Sequence, residues 1–347
     1  MGTPDKARAT DHDQGRTPDE QTARPSRRPR AGTRTAVTWG AVLAAIVLVG
    51  LLRQEQLSEG TVLVQAVVSG LVLGAVYGLV SMGLTLVFGV LDIVNFAHGA
   101  LMTLGMYVSF VLATGAGIPV YLALPITVAL LFAIGAIVQR VLIAPAMGQP
   151  LENQLLLTLG LAIVIENALL IVFTGTPKRV EVSFGDQAVN ILGASATIPR
   201  VIAFFGALAL AAVLYLLLQR TKLGTAVRAV ASNPSGAALL GIDVRRVHML
   251  TFALGTACVG AASALVLPFL SLDPTTGNTF NILAFVVVVL GGLGNVLGAL
   301  LGGFLIGLTA EVGGVLFPDQ SNLLGVFIVF ILVLFLRPQG LLGARLP

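Results

Sequence analysis

The chain is predicted to be an all-α, polytopic integral membrane protein with about 8–10 transmembrane helices, some of them broken or re-entrant. Three observations predict this. First, 56% of the 347 residues are apolar and 10% are charged, with a mean hydropathy of +0.96. A soluble domain carries about 25% charged residues. One core cannot hide this much apolar surface, so lipid is its natural solvent. Second, apolar runs near the ~20 residues needed to cross a hydrocarbon core recur along the chain. Third, charge is uneven: residues 1–36 hold eight of the 20 Lys/Arg and five of the 16 Asp/Glu. The net charge of +4 therefore reports membrane-flanking arginines, which set orientation, and points to no nucleic-acid partner.

Residues 1–34 are rich in Pro, Arg, Asp, Thr and Gly without apolar periodicity, which predicts a disordered cytoplasmic tail. Its end, "ARPSRRPRAGTR" (23–34), has five arginines and no acid. The apolar run 35–52 follows directly. No small-x-small cleavage site appears in "RQEQLSEG" (53–60), so the run reads as a retained anchor helix and not a signal peptide. A membrane domain is expected over 35–338, with a cytoplasmic segment at 220–247 and a short cytoplasmic tail at 339–347. Its further spans are 62–90, 96–115, 118–138, 154–175, 199–219, 248–271, 282–309 and 321–336. The runs 62–90 and 282–309 are too long for one straight crossing and Gly-rich, so breaks or re-entrant pieces are expected there. Gly70, Gly74 and Gly78 repeat every four residues, as do Gly294, Gly298 and Gly302. That spacing lets helix backbones approach closely. Asn95 and Asn295 each precede a Gly-Ala-Leu stretch, a short hint of an internal repeat.

Loop charges orient the chain. Arg140 in 139–153, and Arg220, Lys222, Arg228, Arg245 and Arg246 in 220–247, alternate onto the cytoplasmic side if the tail is inside. The 176–198 loop then lies outside, where Glu181 and Asp186 offset Lys178 and Arg179. Nine simple crossings would leave Arg337 and Arg345 outside. If 282–309 enters and returns, or splits into two crossings, both termini stay inside.

The chemistry-bearing residues exclude several functions. One cysteine, Cys258, cannot form a disulfide within the chain and reads as a packing residue. His12, His98 and His248 are far apart, and no Cys/His spacing suits a metal. No nucleophile–base–orienter set is visible. No G-x-x-x-x-G-K-[ST] loop exists, so the chain cannot cradle ATP phosphates itself. No catalytic residue, cofactor or metal is expected.

The segment "RTKLGTAVRAVASNPSGAALLGIDVRRVHM" (220–249) is amphipathic and not simply polar. Ser232 or Asn233 can cap a helix, Pro234 fits its first position, and Gly241 fits the position past its end. The enclosed 234–240 makes about two turns. Ala237, Ala238, Leu239, Leu240 and Ile242 supply its apolar content, with Arg228 before it. So short a helix is marginal alone. Either it lies on its own membrane domain, with the arginines at lipid phosphates, or it seats in a groove on a soluble partner.

These residues carry a resemblance. "RAVASNPSGAALLGIDVRRVHMLTFALG" (228–255) resembles the coupling segment of ABC-importer permeases for branched-chain amino acids, the LivH type. "GLVLGAVYGLVSMGLTLVFGVLDIVNFAHGALMTLGMYV" (70–108) is similar to that family's N-terminal signature. "VVVVLGGLGNVLGALLGGFLIG" (286–307) and "LRPQGLLG" (336–343) are similar to its C-terminal ones. The arginine-rich tail and the 35–52 run fall outside the resemblance. It implies an importer subunit in a bacterial plasma membrane that forms half of a path for leucine, isoleucine or valine. Its implied partners are a second, homologous permease, two ATP-binding cassette ATPases, and an extracytoplasmic substrate-binding protein. ATP would act through the ATPases, with Arg228, Asn233, Pro234, Ala237, Ala238, Leu239, Leu240, Gly241 and Ile242 as the lever. Alternatives are the same machine carrying another small solute (urea, an amide, another amino acid or a sugar), or an ATPase-independent channel or carrier. The last has no need of a docking helix.

Polar groups inside apolar runs complete the candidate set. Asp92, Asn95 and His98, in "DIVNFAHGAL" (92–101), would form one drifting polar stripe on a helix. Intramembrane charge costs about 2.5–3.5 kcal/mol on insertion scales, which favours an interface or a wet cavity. Glu166, beside Asn167 in "LAIVIENALLI", is a further intramembrane acid, with Thr158 on the same run. Each reads either as a structural contact or as lining of the translocation path. A carboxylate at 166 could attract an amino acid's ammonium group.

Overall fold

The computed structural model describes residues 60–191, 193–316, 322–337 and 339–342. The basic tail, the 35–52 anchor and residues 343–347 lie outside the described residues. Helix α1 (Gly60–Leu91) is 32 residues long, about 48 Å at 1.5 Å per residue. It runs unbroken where the glycine content predicts a break. No proline interrupts it, and its glycines are backed by another helix, α10 (Val296–Leu316). A Cβ at Gly70 would stand 2.9 Å from Gly307 O, and one at Gly74 2.9 Å from the Phe304 Cα. Gly78 meets Leu300. The face of α10 that answers them is Gly303 and Gly307. Gly298 and Gly302 lie against α9 (Thr276–Gly291), at Gly291 and Val287. The 282–309 run splits into two helices: Gly292 and Gly294 adopt φ of 97° and 80° in the break, which glycine allows at little cost.

The other helices are α2 (His98–Thr114), α3 (Val120–Val138), α4 (Leu151–Phe173), α5 (Ile198–Arg220), α6 (Lys222–Ser232), α7 (Pro234–Leu239), α8 (Val244–Val266) and α11 (Asn322–Leu336). A π-turn (Gln139–Ile143) carries α3 on to Ala146. Six helices among the described residues are long and apolar enough to cross a membrane, and α2, α9 and α11 are shorter apolar helices. The 176–198 loop contains a two-stranded antiparallel hairpin, β1 (Ala188–Ile191) and β2 (Ala194–Thr197), which alternation did not announce.

The chain is an all-α, multi-pass membrane protein. Helix α8 is its hub: 83% of its most apolar window is buried, against 11% for α4, which leaves α4 facing outward. Residues 340–342 fold back onto the α9–α10 break: Leu341 N donates to Leu290 O at 2.7 Å, and Asn295 Nδ2 donates to Leu342 O at 2.9 Å. Gly294 and Leu342 share a cavity wall with Arg228. The 220–247 segment and the C-terminal strap therefore lie at one end of the bundle, the basic end.

Candidate functional site

Two places stand out: a polar junction at mid-depth and the short helix at the basic end. The junction begins where α1 stops. Asp92 takes φ 55°, a left-handed conformation that Asp tolerates, and the chain turns back along α1. Val94 O accepts from Thr158 Oγ1 at 3.2 Å, so α4 holds the descending linker. His98 Nε2 donates to Val80 O at 3.0 Å. Val80 is eleven residues before Leu91 on α1, about 16 Å along the helix. The 92–97 linker is thus re-entrant, and α2 starts inside the bundle. The helical stripe expected for Asp92, Asn95 and His98 does not form. Asp92 is exposed at the basic end, while Asn95 and His98 are 1% and 0% exposed at depth. Asn95 Oδ1 accepts from Ala97 N at 3.1 Å and shapes the turn into α2.

Helix α9 also begins at mid-depth. Its Phe280 ring lies 5.5 Å from that of Tyr77 on α1. The N-terminal ends of α2 and α9 cap one another, second-turn side chains of each serving first-turn amides of the other. Gly99 N donates to Asn281 Oδ1 at 3.2 Å, Gly277 N donates to Thr103 Oγ1 at 2.9 Å, and Asn281 Nδ2 donates to Phe96 O at 3.1 Å. Helix starts leave backbone amides unpaired, and in a membrane these need internal partners. Two half-helices meeting start to start supply them. Gly99 and Gly277 touch backbone to backbone, with no room for a Cβ on either. Leading into α9, burial pushes the Asp273 carboxyl up, but hydrogen bonds from Thr275 and Thr276 outweigh it and hold it below the usual carboxylate range.

Glu166 lies beside this junction. Asn278 Nδ2, in the first turn of α9, is 3.4 Å from its Oε2. Thr158 and Asn167 do not join it: Thr158 serves the linker, and Asn167 Nδ2 donates to Ile163 O at 2.8 Å on the outward side of α4. Asn278, Asn281 and Thr103 are the members that sequence reading missed.

At the basic end, α7 is built as its residues dictate. Asn233 Oδ1 accepts from Gly236 N at 2.9 Å, Pro234 opens the helix, and Gly241 at φ 81° turns the chain away. The helix ends at Leu239, with Leu240 as its C-cap. Ala237 is buried against the bundle and Ile242 is half-buried, while Ala238 and Gly241 are exposed. Leu239 and Leu240 are 89% and 83% exposed. The segment before it is helical as well: Thr221 caps α6 through Gly224 N at 3.1 Å, and Arg228 donates to Leu218 O, tying α6 to α5.

The family described as "Branched-chain amino acid transport system / permease component" matches residues 66–336. That covers α1 from Ala66 onward and all of the later described helices. The chain belongs to this permease family. It is 31% identical to the high-affinity branched-chain amino acid transport permease BraD of Pseudomonas aeruginosa, over 80% of this chain and 95% of that one. It is 30% identical to LivH of Escherichia coli K12, again over 80% and 95%. A probable LivH of Methanocaldococcus jannaschii is 31% identical over 76% and 88%. No solved structure matches the chain. The permease family's match covers the junction and α7 alike, and starts after the basic tail and the 35–52 run.

Proposed function

We propose that this permease forms half of the translocation path of an ATP-binding cassette importer for branched-chain amino acids in a bacterial inner membrane. It would pair with a second, homologous permease, two ATPases at the basic end and a substrate-binding protein at the opposite end. The observation that carries this reading is α7, a capped helix fixed by Ala237 that presents two leucines to water. Burying a leucine is worth about 1.5–3 kcal/mol, so an unpartnered pair favours a groove on a soluble protein. Loop arginines support a cytoplasmic basic end and cytoplasmic termini.

A mechanical route follows. Pro234, at the start of α7, and Asp92, at the start of the linker, line one cavity of about 480 Å³. On this reading ATPase closure pushes α7, α7 shifts the 92–97 linker, and the linker moves the α2–α9 junction. Substrate passes near that junction. Glu166 and Asn278 meet the ammonium and carboxylate groups of an amino acid, and apolar walls meet its side chain.

Co-expression with the ATPase, second permease and binding protein from neighbouring genes tests the reading. The four should co-purify, and proteoliposomes should take up labelled leucine only with ATP inside the ATPase compartment and binding protein opposite. A complex that forms but is stimulated by a sugar or urea and not by leucine, isoleucine or valine would replace the substrate. A chain that captures no ATPase would end the proposal.

A further inference from the structure

The basic end carries another cavity, of about 950 Å³, between the π-turn that continues α3 and the first turn of α8. Arg140 from the π-turn, and Arg245 and Arg246 from α8, stand on its wall. One carboxylate, Asp243, faces them and is already engaged. It caps α8 by accepting from Arg246 N at 3.1 Å and pairs with Arg246 Nε at 2.9 Å. Among the described residues, Arg140 and Arg245 have no carboxylate partner. Two positive charges are therefore unbalanced. Arg245 also stands at the start of a 23-residue helix, where the macrodipole disfavours a cation.

His248 follows on α8 and also lines this cavity, at 8% exposure. The cavity is drug-sized by volume, roomy for a phosphate with glycerol attached and too large for a free phosphate to fill. It also opens at the basic end, where helices end, and lipid headgroups bind basic pockets between membrane helices.

We propose that this cavity binds the phosphate of an anionic phospholipid headgroup, with Arg140 and Arg245 as its charge partners. The headgroup would also brace the coupling machinery, because Met147 and His248 line the adjoining cavity that holds Asp92 and Pro234.

The test uses the full-length chain and a binding readout, so it stands apart from the transport reading. Native mass spectrometry would count phosphatidylglycerol retained on the purified chain, and nanodiscs with and without phosphatidylglycerol in phosphatidylcholine would give thermal shifts. One phosphatidylglycerol should be retained. The R140Q/R245Q variant should bind it about tenfold more weakly, while R140K/R245K keeps most of the affinity. Lys222→Gln, a charge loss at the same end outside this cavity, should bind as wild type. If the double variant does not fold, Arg245→Gln alone should still lose several-fold. Stabilisation by inorganic phosphate alone, equal to that by phosphatidylglycerol, would overturn the lipid as the source and leave a free anion as the ligand. Equal retention by wild type and R140Q/R245Q, or an equal loss in Lys222→Gln, would overturn the site.

Discussion

At the α2–α9 junction each helix start is capped by side chains of the other, whereas two leucines of the α7 turn face outward with nothing on them. Both regions are short helix starts in a greasy chain. The difference lies in what completes them. The junction is closed by residues far apart in this sequence, Gly99 with Asn281 and Gly277 with Thr103. The α7 tip is closed only at its base, through Asn233 and Ala237. A part that completes itself resists substitution through the fold. A part left incomplete resists it through a partner. The substitutions below separate these, from the largest expected effect to the smallest.

Gly99→Val should break the junction outright. Its side chain has no space beside the Gly277 carbonyl, and here the obstacle is backbone, which cannot rotate away. Overpacking costs about 1–3 kcal/mol where neighbours can adjust, and more is expected where they cannot. Fluorescence-detected size-exclusion chromatography should show loss of most monodisperse protein. A wild-type yield would mean that the half-helices do not meet start to start.

Leu240→Asp should do the reverse. Leu240 is 83% exposed, so membrane insertion and thermal stability should stay within about 0.5 kcal/mol of wild type. Capture of the ATPase and ATP-driven uptake should both fall by at least tenfold, since a charge would enter an apolar groove. Unchanged uptake would remove α7 from the coupling role.

Asn281→Leu sharpens the comparison inside the junction. It removes the acceptor for Gly99 N and the donor to Phe96 O together. Leaving buried groups unpaired costs about 1–3 kcal/mol. A lower melting temperature, with protein still folded, is expected. No shift would mean that water already serves those groups.

The two regions also differed in how legible they were. The α7 helix could be read from consecutive residues, because its cap, its proline and its terminal glycine are local signals. The spans were legible for the same reason, since apolar length is local. The re-entrant linker was not. Asp92, Asn95 and His98 have helical spacing, and no proline or glycine follows Leu91 to announce a stop. What ends α1 there is tertiary: Val80 O holds His98, and Thr158 holds Val94. Glycine spacing is a local signal, but which helix each row meets is tertiary: Gly70, Gly74 and Gly78 lie against α10, whereas Gly298 and Gly302 lie against α9. The hairpin at 188–197 turns on Gly193 at φ 90° within a short strand pair, too brief for alternation to be read.

Glu166→Gln should have the smallest effect on the fold and tests whether the junction is only structural. Glu166 is partly exposed and its Asn278 contact is long, 3.4–3.5 Å. An amide of the same shape can accept that hydrogen bond, so yield and melting temperature should hold. If the carboxylate meets the substrate's ammonium group, the variant needs about tenfold more leucine-loaded binding protein for half-maximal uptake, a loss fitting one charge-assisted hydrogen bond. ATPase capture through α7 should be untouched, which separates this loss from that of Leu240→Asp. A fall in folded protein with unchanged leucine dependence would instead make Glu166 a contact that holds α4 to α9.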